Sequence, residues 1–459
     1  MINKKYNIDK IFIFFLFIHL FIWTLIPSIS NNNLPLDVIE ALAWGSDLSW
    51  GYNKHPPMSA WFVEIFYQIF GNQDWAYYFL SQVFVVLAFY VVFKFSEDFL
   101  ENKKLSLISV LLLEGIYFYN FTTPEFNVNI CQLPFWALTV YYCWKGIKQN
   151  DVLIWLLFGL VAAFGVLSKY LFIYLLLALD IFFIYLIINK KFKYKSLISI
   201  VSFLIVLIPH FIWLLNNDFI TFTYAFKRTG LSESQFLDHI INPIIFLGKQ
   251  LGILIPFFFL FSLTLSKFKI KFNLKDKKLL FLFSVSCLPI LLMFLTSFFI
   301  GAKIRTMWMT PFYLFMGVFF VYILQKYIIL KKLKNFYLIF LILFIFSPFA
   351  YFIVSTTQTD KKTDYPGKKI SIMVQKNWEK NFSNKIGLIG GNEWHGGNLS
   401  YHLKSRPRWD NILETRKTLV ANDNDGFVII GEQEILSEIC VGIFFVTENL
   451  GVCMIGEKI

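Results

Sequence analysis

Two acidic and two basic side chains lie close together in the segment 33–61, which reads NLPLDVIEALAWGSDLSWGYNKHPPMSAW. Asp37 and Glu40 are three residues apart, so a helix would present both carboxylates on one face, where either could accept a proton from a reacting hydroxyl group. Lys54 and His55 come directly before two consecutive prolines, which hold the chain extended. We therefore predict a hairpin of two short helices with Lys54 and His55 at the bend. Asp37 alone could simply cap a helix N-terminus, but capping does not explain the other three residues.

Two isolated charges elsewhere are further candidates. Glu125 follows a proline in the short segment NFTTPEFN, and a proline followed by an acid is also typical of the first turn of a helix, so both interpretations stay open. Lys169 is the lone charge between two strongly apolar segments, in GVLSKYL. A charge in such a place is costly and favours a functional role, although the ammonium group could also extend to the membrane interface.

Arginine is rare in this chain. Only five of the 42 lysines and arginines are arginine, and arginine is the side chain that binds phosphate or carboxylate through two parallel hydrogen bonds. Arg228, in YAFKRTG, and Arg305, which follows Lys303 in GAKIRTMWMTPF, are therefore candidates for holding an anion. The three other arginines could be ordinary solvated charge: Arg406, Arg408 and Arg416.

The composition is that of a membrane protein. The 459 residues are 57% hydrophobic and only 16% charged, whereas soluble proteins carry about 25% charged residues. Apolar stretches close to the roughly 20 residues needed to cross a bilayer recur along the chain. We predict a mainly α polytopic helical bundle with about eleven spans, at 11–29, 75–93, 105–121, 128–144, 152–167, 170–188, 196–215, 242–265, 279–299, 307–324 and 336–354.

The distribution of lysine predicts the orientation of this bundle. Lysines cluster in alternate connecting segments, such as 190–195, 267–278 and 326–334, and the remaining segments are poor in positive charge. Positive segments stay on the cytoplasmic side, so the N-terminus is predicted to be cytoplasmic and all the candidate residues to lie outside. The net charge of +12 then reflects orientation in the membrane, and we do not expect nucleic-acid binding.

The C-terminal part has a different composition. From about residue 355 the apolar runs shorten, and we predict a membrane domain at 1–354 followed by a small external α/β domain at 355–459. KIGLIGG at 385–391 and GFVIIG at 426–431 are typical of buried strands, and residues 441–459 of a hairpin. Cys440 and Cys453 fall in this external part, where a disulfide is permitted.

The segments PLDVIEALAWGSDLSWGYNKHPPMSAW, TTPEFNVNICQLPFWALTVYYCWKG and GAKIRTMWMTPFYLFMG resemble bacterial family 39 glycosyltransferases of the GT-C class. The resemblance covers most of residues 1–325. It implies a metal-independent, inverting enzyme of the bacterial inner membrane that needs no cofactor and moves a sugar from a polyprenyl-phosphate carrier to a lipid, glycan or protein on the periplasmic side. Asp37, with Glu40 as the alternative, would correspond to the catalytic base, and Lys54 or His55 to the residue that contacts the phosphate.

Other functions make different demands on the sequence. A transporter or flippase for a lipid-linked sugar would place charges deep within spans and repeat broken helices. Asp180 is one intramembrane acid, and no inverted repeat is evident in the sequence. A polysaccharide polymerase or ligase would favour large external loops with paired arginines. A non-catalytic assembly factor would use the C-terminal domain for binding. The concentration of charge in the external loops favours chemistry at the membrane surface.

Overall fold

The computed structural model describes residues 7–230, 235–269, 272–330, 333–411, 425–438, 440 and 442–459. Lys4, Lys5 and Arg416 lie outside the described residues. The described α-helices are α1 (Ile8–Ser30), α2 (Leu36–Gly45), α3 (Met58–Phe70), α4 (Asp74–Leu100), α5 (Lys103–Leu111), α6 (Val128–Cys131), α7 (Leu133–Gln149), α8 (Val152–Ser168), α9 (Ile173–Ile188), α10 (Ile198–Asn216), α11 (Ile220–Thr229), α12 (Asp238–Ser262), α13 (Lys277–Ser286), α14 (Leu288–Ile300), α15 (Met316–Leu324), α16 (Leu333–Thr357), α17 (Gly367–Asn381), α18 (Glu393–His402) and α19 (Gln433–Ser437).

The predicted helical membrane bundle is confirmed, and each of the eleven predicted spans falls mainly on helix. Within the described residues, six helices are long and apolar enough to cross a membrane, and two bent pairs raise the number to eight. One pair is α13 with α14, bent by 44°; the other is Thr306–Tyr313 with Met316–Tyr327, bent by 50°. The three other predicted spans fall on the shorter helices α5, α7 and α8.

The predicted span 105–121 is wrong in its second half. Helix α5 ends at Leu111, and two short 3-10 helices follow. Glu114 lies in this stretch and pairs with His19 of α1 at 2.7 Å, with both side chains excluded from solvent. Asn120 donates to the Glu114 carbonyl oxygen at 2.9 Å. The same amide also donates to the Glu114 carboxylate at 3.4 Å, and a buried carboxylate needs such partners. In a continuous helix the Glu114 carbonyl oxygen would instead accept from the backbone.

The predicted hairpin of the first loop is confirmed as α2 and α3, which pack on each other through apolar side chains. Helix α2 is also covered by α18 from the C-terminal part. The two helices approach so closely that a Cβ atom on Gly397 would lie 2.9 Å from both the side chain and the carbonyl oxygen of Ile39. The helix that carries both candidate carboxylates is therefore held between the membrane bundle and the C-terminal part.

The C-terminal part contains a five-stranded sheet with the order β2-β1-β3-β5-β4. The strands are β1 (Ile386–Gly390), β2 (Arg408–Asp410), β3 (Gly426–Glu432), β4 (Phe444–Phe445) and β5 (Leu450–Ile455). Strand β1 pairs in parallel with β2 and β3, and β5 pairs antiparallel with β3 and β4. The predicted strands and hairpin are confirmed, and Cys440 is disulfide-bonded to Cys453.

Arg406 fixes this C-terminal part to the first hairpin, and its interpretation as ordinary solvated charge is wrong. Its guanidinium donates to Glu64 of α3 at 2.6 Å and to the carbonyl oxygen of Leu42 in α2 at 2.7 Å. It also lies over the ring of Tyr67, 4.3 Å from the centroid. Arg408 pairs with Asp47 at 3.6 Å, in a more exposed position.

Candidate active site

A cavity of about 440 Å³ opens beside α2 and collects most of the predicted site residues. Its lining includes Asp37, Glu40, Lys54, His55, Lys169, Arg228 and Arg305. These residues come from the first hairpin, from the connection between α8 and α9, from α11 and from the segment after α14. All of them except Glu40, which lies in the middle of α2, are near a helix end or in a connecting segment. The folding of the bundle therefore brings together charges that are far apart in the sequence.

Asp37 lies in the first turn of α2, and its carboxyl group faces the cavity near the positive charges of Lys54, Lys169 and Arg228. Burial raises the pKa of its carboxyl group, while the charges of Lys169, Lys54 and Arg228 and a hydrogen bond from the Asn127 side chain act in the opposite direction. No cation lies within ion-pair distance of Asp37 among the described residues. A carboxylate that is stabilised by distant cations but not neutralised by one of them is suited to accept a proton.

Glu125 lies behind Asp37 and outside the cavity lining. Its Oε1 accepts a hydrogen bond from the backbone N–H of Asp37 at 3.1 Å. Burial, and then the neighbouring charge of Asp37, raise the pKa of Glu125. Burial thus favours the protonated form of Glu125, and no cation is among the causes that shift its pKa. The hydrogen bond between the Asp37 N–H and Glu125 orients the first turn of α2, and it is Asp37 that lines the cavity.

Glu40 is engaged in an ion pair, in contrast to Asp37. Lys54 Nζ lies 3.0 Å from Glu40 Oε1 and 3.2 Å from Glu393 Oε1, and Asn53 Nδ2 donates to the same Glu393 oxygen at 3.1 Å. The two carboxylates together raise the pKa of Lys54, although its burial alone would lower it. Sequence reasoning missed Glu393, because it lies more than 300 residues from its partners and no local pattern indicates the pairing.

Lys169 is buried, with 6% of its surface exposed, so its side chain does not extend into solvent. Its ammonium group donates to Asn129 Oδ1 and lies 5.2 Å from the ring centroid of Trp308. Burial lowers the pKa of Lys169 to about 7, and the charge of Asp37 partly opposes that effect. Lys169 thus changes its charge near neutral pH.

His55 differs from its predicted role as one of the cations at the bend. Burial and the positive charges of Lys169, Lys54 and Arg228 lower the pKa of His55 to about 3, so the ring is neutral at neutral pH. The ring meets Trp44 and Tyr224 edge-on, with centroids 5.9 and 6.0 Å away. His55 can offer the cavity a hydrogen bond but no charge, which leaves Lys54 as the charged residue of the bend.

Arg228 and Arg305 are exposed at the cavity lining, on two segments that contact each other. The backbone N–H of Lys303 donates to the carbonyl oxygen of Thr229 at 3.1 Å, which ties the segment after α14 to the end of α11. The side chain of Lys303 is exposed and lies outside the cavity lining. Neither arginine forms an ion pair within the described part of the chain, so both guanidinium groups are available to an anionic ligand.

Known proteins resemble this chain in sequence and in fold. Residues 54–213 match the family model described as dolichyl-phosphate-mannose-protein mannosyltransferase. The crystal structure of ArnT from Cupriavidus metallidurans bound to undecaprenyl phosphate is similar with a TM-score of 0.65 and 11% identity, over 96% of this chain and 97% of that chain. The apo structure of the same protein gives a TM-score of 0.63 and 10% identity, again over 96% and 97%.

No curated protein sequence matches the chain. The fold is nevertheless similar to that of ArnT, and the matched family model covers the bend of the first hairpin and the helices that follow it. The resemblance predicted from the sequence is thereby confirmed: the chain is similar to the GT-C glycosyltransferases, in fold over nearly its whole length and in sequence over residues 54–213.

Proposed function

We propose that this protein transfers a sugar from a polyprenyl-phosphate carrier to an acceptor hydroxyl group on the periplasmic side of the bacterial inner membrane, with inversion at the anomeric carbon. The observation that carries the proposal is that Asp37 and the cations Lys169, Arg228 and Arg305 line one cavity at the ends of apolar helices. This cavity supplies the two chemical functions that such a transfer requires, a proton acceptor and an anion site.

In the proposed reaction the acceptor hydroxyl oxygen attacks the anomeric carbon of the donor sugar. The new carbon–oxygen bond forms as the bond to the phosphate oxygen breaks, and the hydroxyl proton passes to the Asp37 carboxylate. The carrier leaves as a lipid phosphate with an additional negative charge. Fixed cations stabilise this charge as it develops, and Lys169, Arg228 and Arg305 are placed to do so.

Asp37 is a better candidate for the base than Glu40. Glu40 is bound to the Lys54 ammonium at 3.0 Å, so its carboxylate is already engaged, whereas Asp37 forms no ion pair among the described residues. Asp37 receives a hydrogen bond from Asn127 and lies near three cations. In this proposal Glu40 and Lys54 shape the wall of the cavity, and Glu125 supports the backbone of Asp37.

Two further observations support the orientation and the donor class. A disulfide such as Cys440–Cys453 persists in an oxidising compartment, and the pair lies in the C-terminal part, which we propose as a periplasmic domain that begins near residue 355. The similar protein ArnT has been solved with undecaprenyl phosphate bound. The alternative function, a flippase for a lipid-linked sugar, requires a path for the sugar through the bundle. The cavity that contains Asp37 lies near helix ends instead.

The deciding experiment compares Asp37→Asn and Glu40→Gln in purified protein with a polyprenyl-phosphate sugar as donor. We expect Asp37→Asn to lower the transfer rate by about 100- to 10,000-fold, and Glu40→Gln to lower it far less. Asp98→Asn, which alters an exposed ion pair with Lys148 elsewhere in the chain, is the matched control. Full transfer by the Asp37→Asn protein would remove Asp37 from the mechanism, and flipping of the donor without transfer would favour the alternative.

A further inference from the structure

A second, larger cavity lies beside the candidate active site and has a different chemistry. This acceptor cleft, as we name it, has a volume of about 740 Å³. The first hairpin, the segment from Trp213 to Thr223 and strand β2 form its walls. It therefore lies where the membrane bundle meets the C-terminal part.

Indole rings and amide groups dominate the lining of the acceptor cleft. Trp44, Trp213 and Trp409 contribute three indoles, and Asn216 and Asn217 contribute side-chain amides. An indole offers a flat apolar face and one N–H donor, and an amide offers both a donor and an acceptor. Sugar rings have apolar C–H faces and a rim of hydroxyl groups, so this combination is complementary to a carbohydrate.

Two details show that these tryptophans are held in place. Gly51 packs so tightly on Trp213 that a Cβ atom there would lie 2.3 Å from the ring. Trp44 stacks on Tyr52, with centroids 5.8 Å apart and planes 17° apart. The N–H of Trp44 finds no acceptor among the described residues although the side chain is 3% exposed. A buried donor without a partner is costly, and a ligand hydroxyl group would satisfy it.

The charge of the acceptor cleft is opposite to that of the active-site cavity. Asp47, Asp218 and Asp410 contribute carboxylates to its lining, and Asp47 also pairs with Arg408 at 3.6 Å. Among the described residues, the lining contains no lysine or arginine. Like charges at short distance repel each other, so this cleft disfavours a phosphorylated ligand. The lipid phosphate and the ligand of the cleft are thereby directed to different cavities.

One layer of side chains separates the two cavities. Asn53 lines the cleft, and its neighbour Lys54 lines the active-site cavity. Trp44 of the cleft contacts His55 of the active-site cavity edge-on, with centroids 5.9 Å apart. Helix α11 begins with Ile220 in the cleft and continues with Thr221 in the other lining. A molecule bound in the cleft could thus extend a hydroxyl group past this layer toward Asp37.

We propose that the acceptor cleft binds the acceptor of the reaction and that this acceptor is a glycan without phosphate groups near the reacting sugar. This inference rests on the proposed transferase function and narrows its acceptor from lipid, glycan or protein to a carbohydrate. The partly exposed indole of Trp213 holds a sugar ring, while the buried Trp44 and Trp409 form the base of the cleft. The side-chain amides bind the hydroxyl groups of the sugar, and the carboxylates disfavour phosphorylated competitors.

The test measures binding separately from transfer. The full chain in lipid nanodiscs is titrated with neutral tetrasaccharides of glucose, galactose, mannose and N-acetylglucosamine, and with the same sugars carrying a phosphomonoester. We expect at least one neutral member to bind and its phosphorylated form to bind more weakly. Trp213→Ala should weaken binding by about tenfold through loss of the ring contact. Trp50→Ala is the matched control, because Trp50 is an exposed tryptophan next to Gly51 and lies outside the cleft lining.

The Asp37→Asn protein separates this inference from the proposed function. If both are right, this variant loses transfer and still binds the tetrasaccharide. Loss of transfer without binding of any neutral member would overturn the cleft inference and leave the transferase function in place. Binding that is unchanged in Trp213→Ala, or that is stronger for the phosphorylated sugars, would also overturn it. Should Trp213→Ala fold poorly, Asp410→Asn serves instead, with an expected gain of affinity for the phosphorylated sugars.

Discussion

Lys54 and Glu393 form an ion pair of 3.2 Å that joins the bend of the first hairpin to the C-terminal part. Glu393 lies in the first turn of α18 and its side chain is 8% exposed. The same Lys54 contacts Glu40 at 3.0 Å, so two carboxylates from distant segments fix one ammonium group. The geometry of the active-site cavity thus depends on Glu393, a residue of the C-terminal part rather than of the membrane bundle.

Glu393→Gln should impair transfer without unfolding the protein. The amide keeps the shape of the side chain and loses the charge that fixes Lys54, so we expect a decrease of about 5- to 30-fold in kcat/KM, equivalent to about 1–2 kcal/mol. The control is Glu379→Gln, whose exposed carboxylate contacts Lys404 at 4.0 Å in the same C-terminal part. Equal rates for the two variants would show that Lys54 does not need Glu393.

Lys169 should make lipid-phosphate binding depend on pH. Its pKa is lowered to about 7, so the side chain is charged below pH 7 and loses its charge above it. We expect the affinity for undecaprenyl phosphate to fall by about tenfold between pH 6 and pH 8 through this one group, measured by titration of the protein in nanodiscs.

Lys169→Arg isolates this effect, because arginine stays protonated over the whole range. The phosphate itself also ionises near pH 6, but it does so equally with both proteins. The ratio of the two affinities should therefore change with pH as the charge of Lys169 does. A constant ratio from pH 6 to pH 8 would contradict the assigned role of Lys169.

Arg406→Ala should destabilise the whole molecule. It removes hydrogen bonds to Glu64, Leu42 and Ser400 and leaves the Glu64 carboxylate buried without its partner. Breaking a buried pair on one side costs about 3–5 kcal/mol of unfolding free energy. Thermal unfolding in detergent measures the effect, and Lys404→Ala, at a site 84% exposed, should change the transition very little. A small effect of Arg406→Ala would mean that the apolar contacts between α18 and α2 are sufficient to hold the C-terminal part on the first hairpin.

The disulfide provides a test of orientation in whole cells. In cells with a permeabilised outer membrane, a membrane-impermeant maleimide should label Cys440 and Cys453 only after reduction, because the two are bonded to each other. Variants that lack the other three cysteines simplify the measurement. Labelling that requires rupture of the inner membrane would place the C-terminal part on the cytoplasmic side and contradict the proposed topology.

The sequence predicts those features that depend on local pattern. The hairpin of α2 and α3 follows from a run of helix-forming residues on either side of two prolines, and the helices follow from long apolar stretches. The common face of Asp37 and Glu40 follows from their spacing. All of these are properties of neighbouring residues, and the structure shows each of them.

Features that depend on distant contacts could not be predicted in this way. The neutral state of His55 arises from burial, from its neighbour Lys54 and from two cations on other segments, Lys169 and Arg228. The difference between Asp37 and Glu40 arises because Lys54 reaches only one of them. The irregular end of the predicted span 105–121 depends on His19, which lies 95 residues from Glu114. In the first and last case the deciding partners include residues from other parts of the chain, and in the second the pairing depends on how the hairpin folds.

The clamp by Arg406 has a consequence for biosynthesis. Glu64 precedes Arg406 by 342 residues, so the ribosome completes the helix with both carboxylates long before it adds the guanidinium that ties it down. A nascent or truncated chain can insert all of its apolar helices and still lack Arg406, the side chain that ties the C-terminal part to the first hairpin. Activity should thus begin only after Arg406, which follows all of the apolar helices in the sequence, has been synthesised.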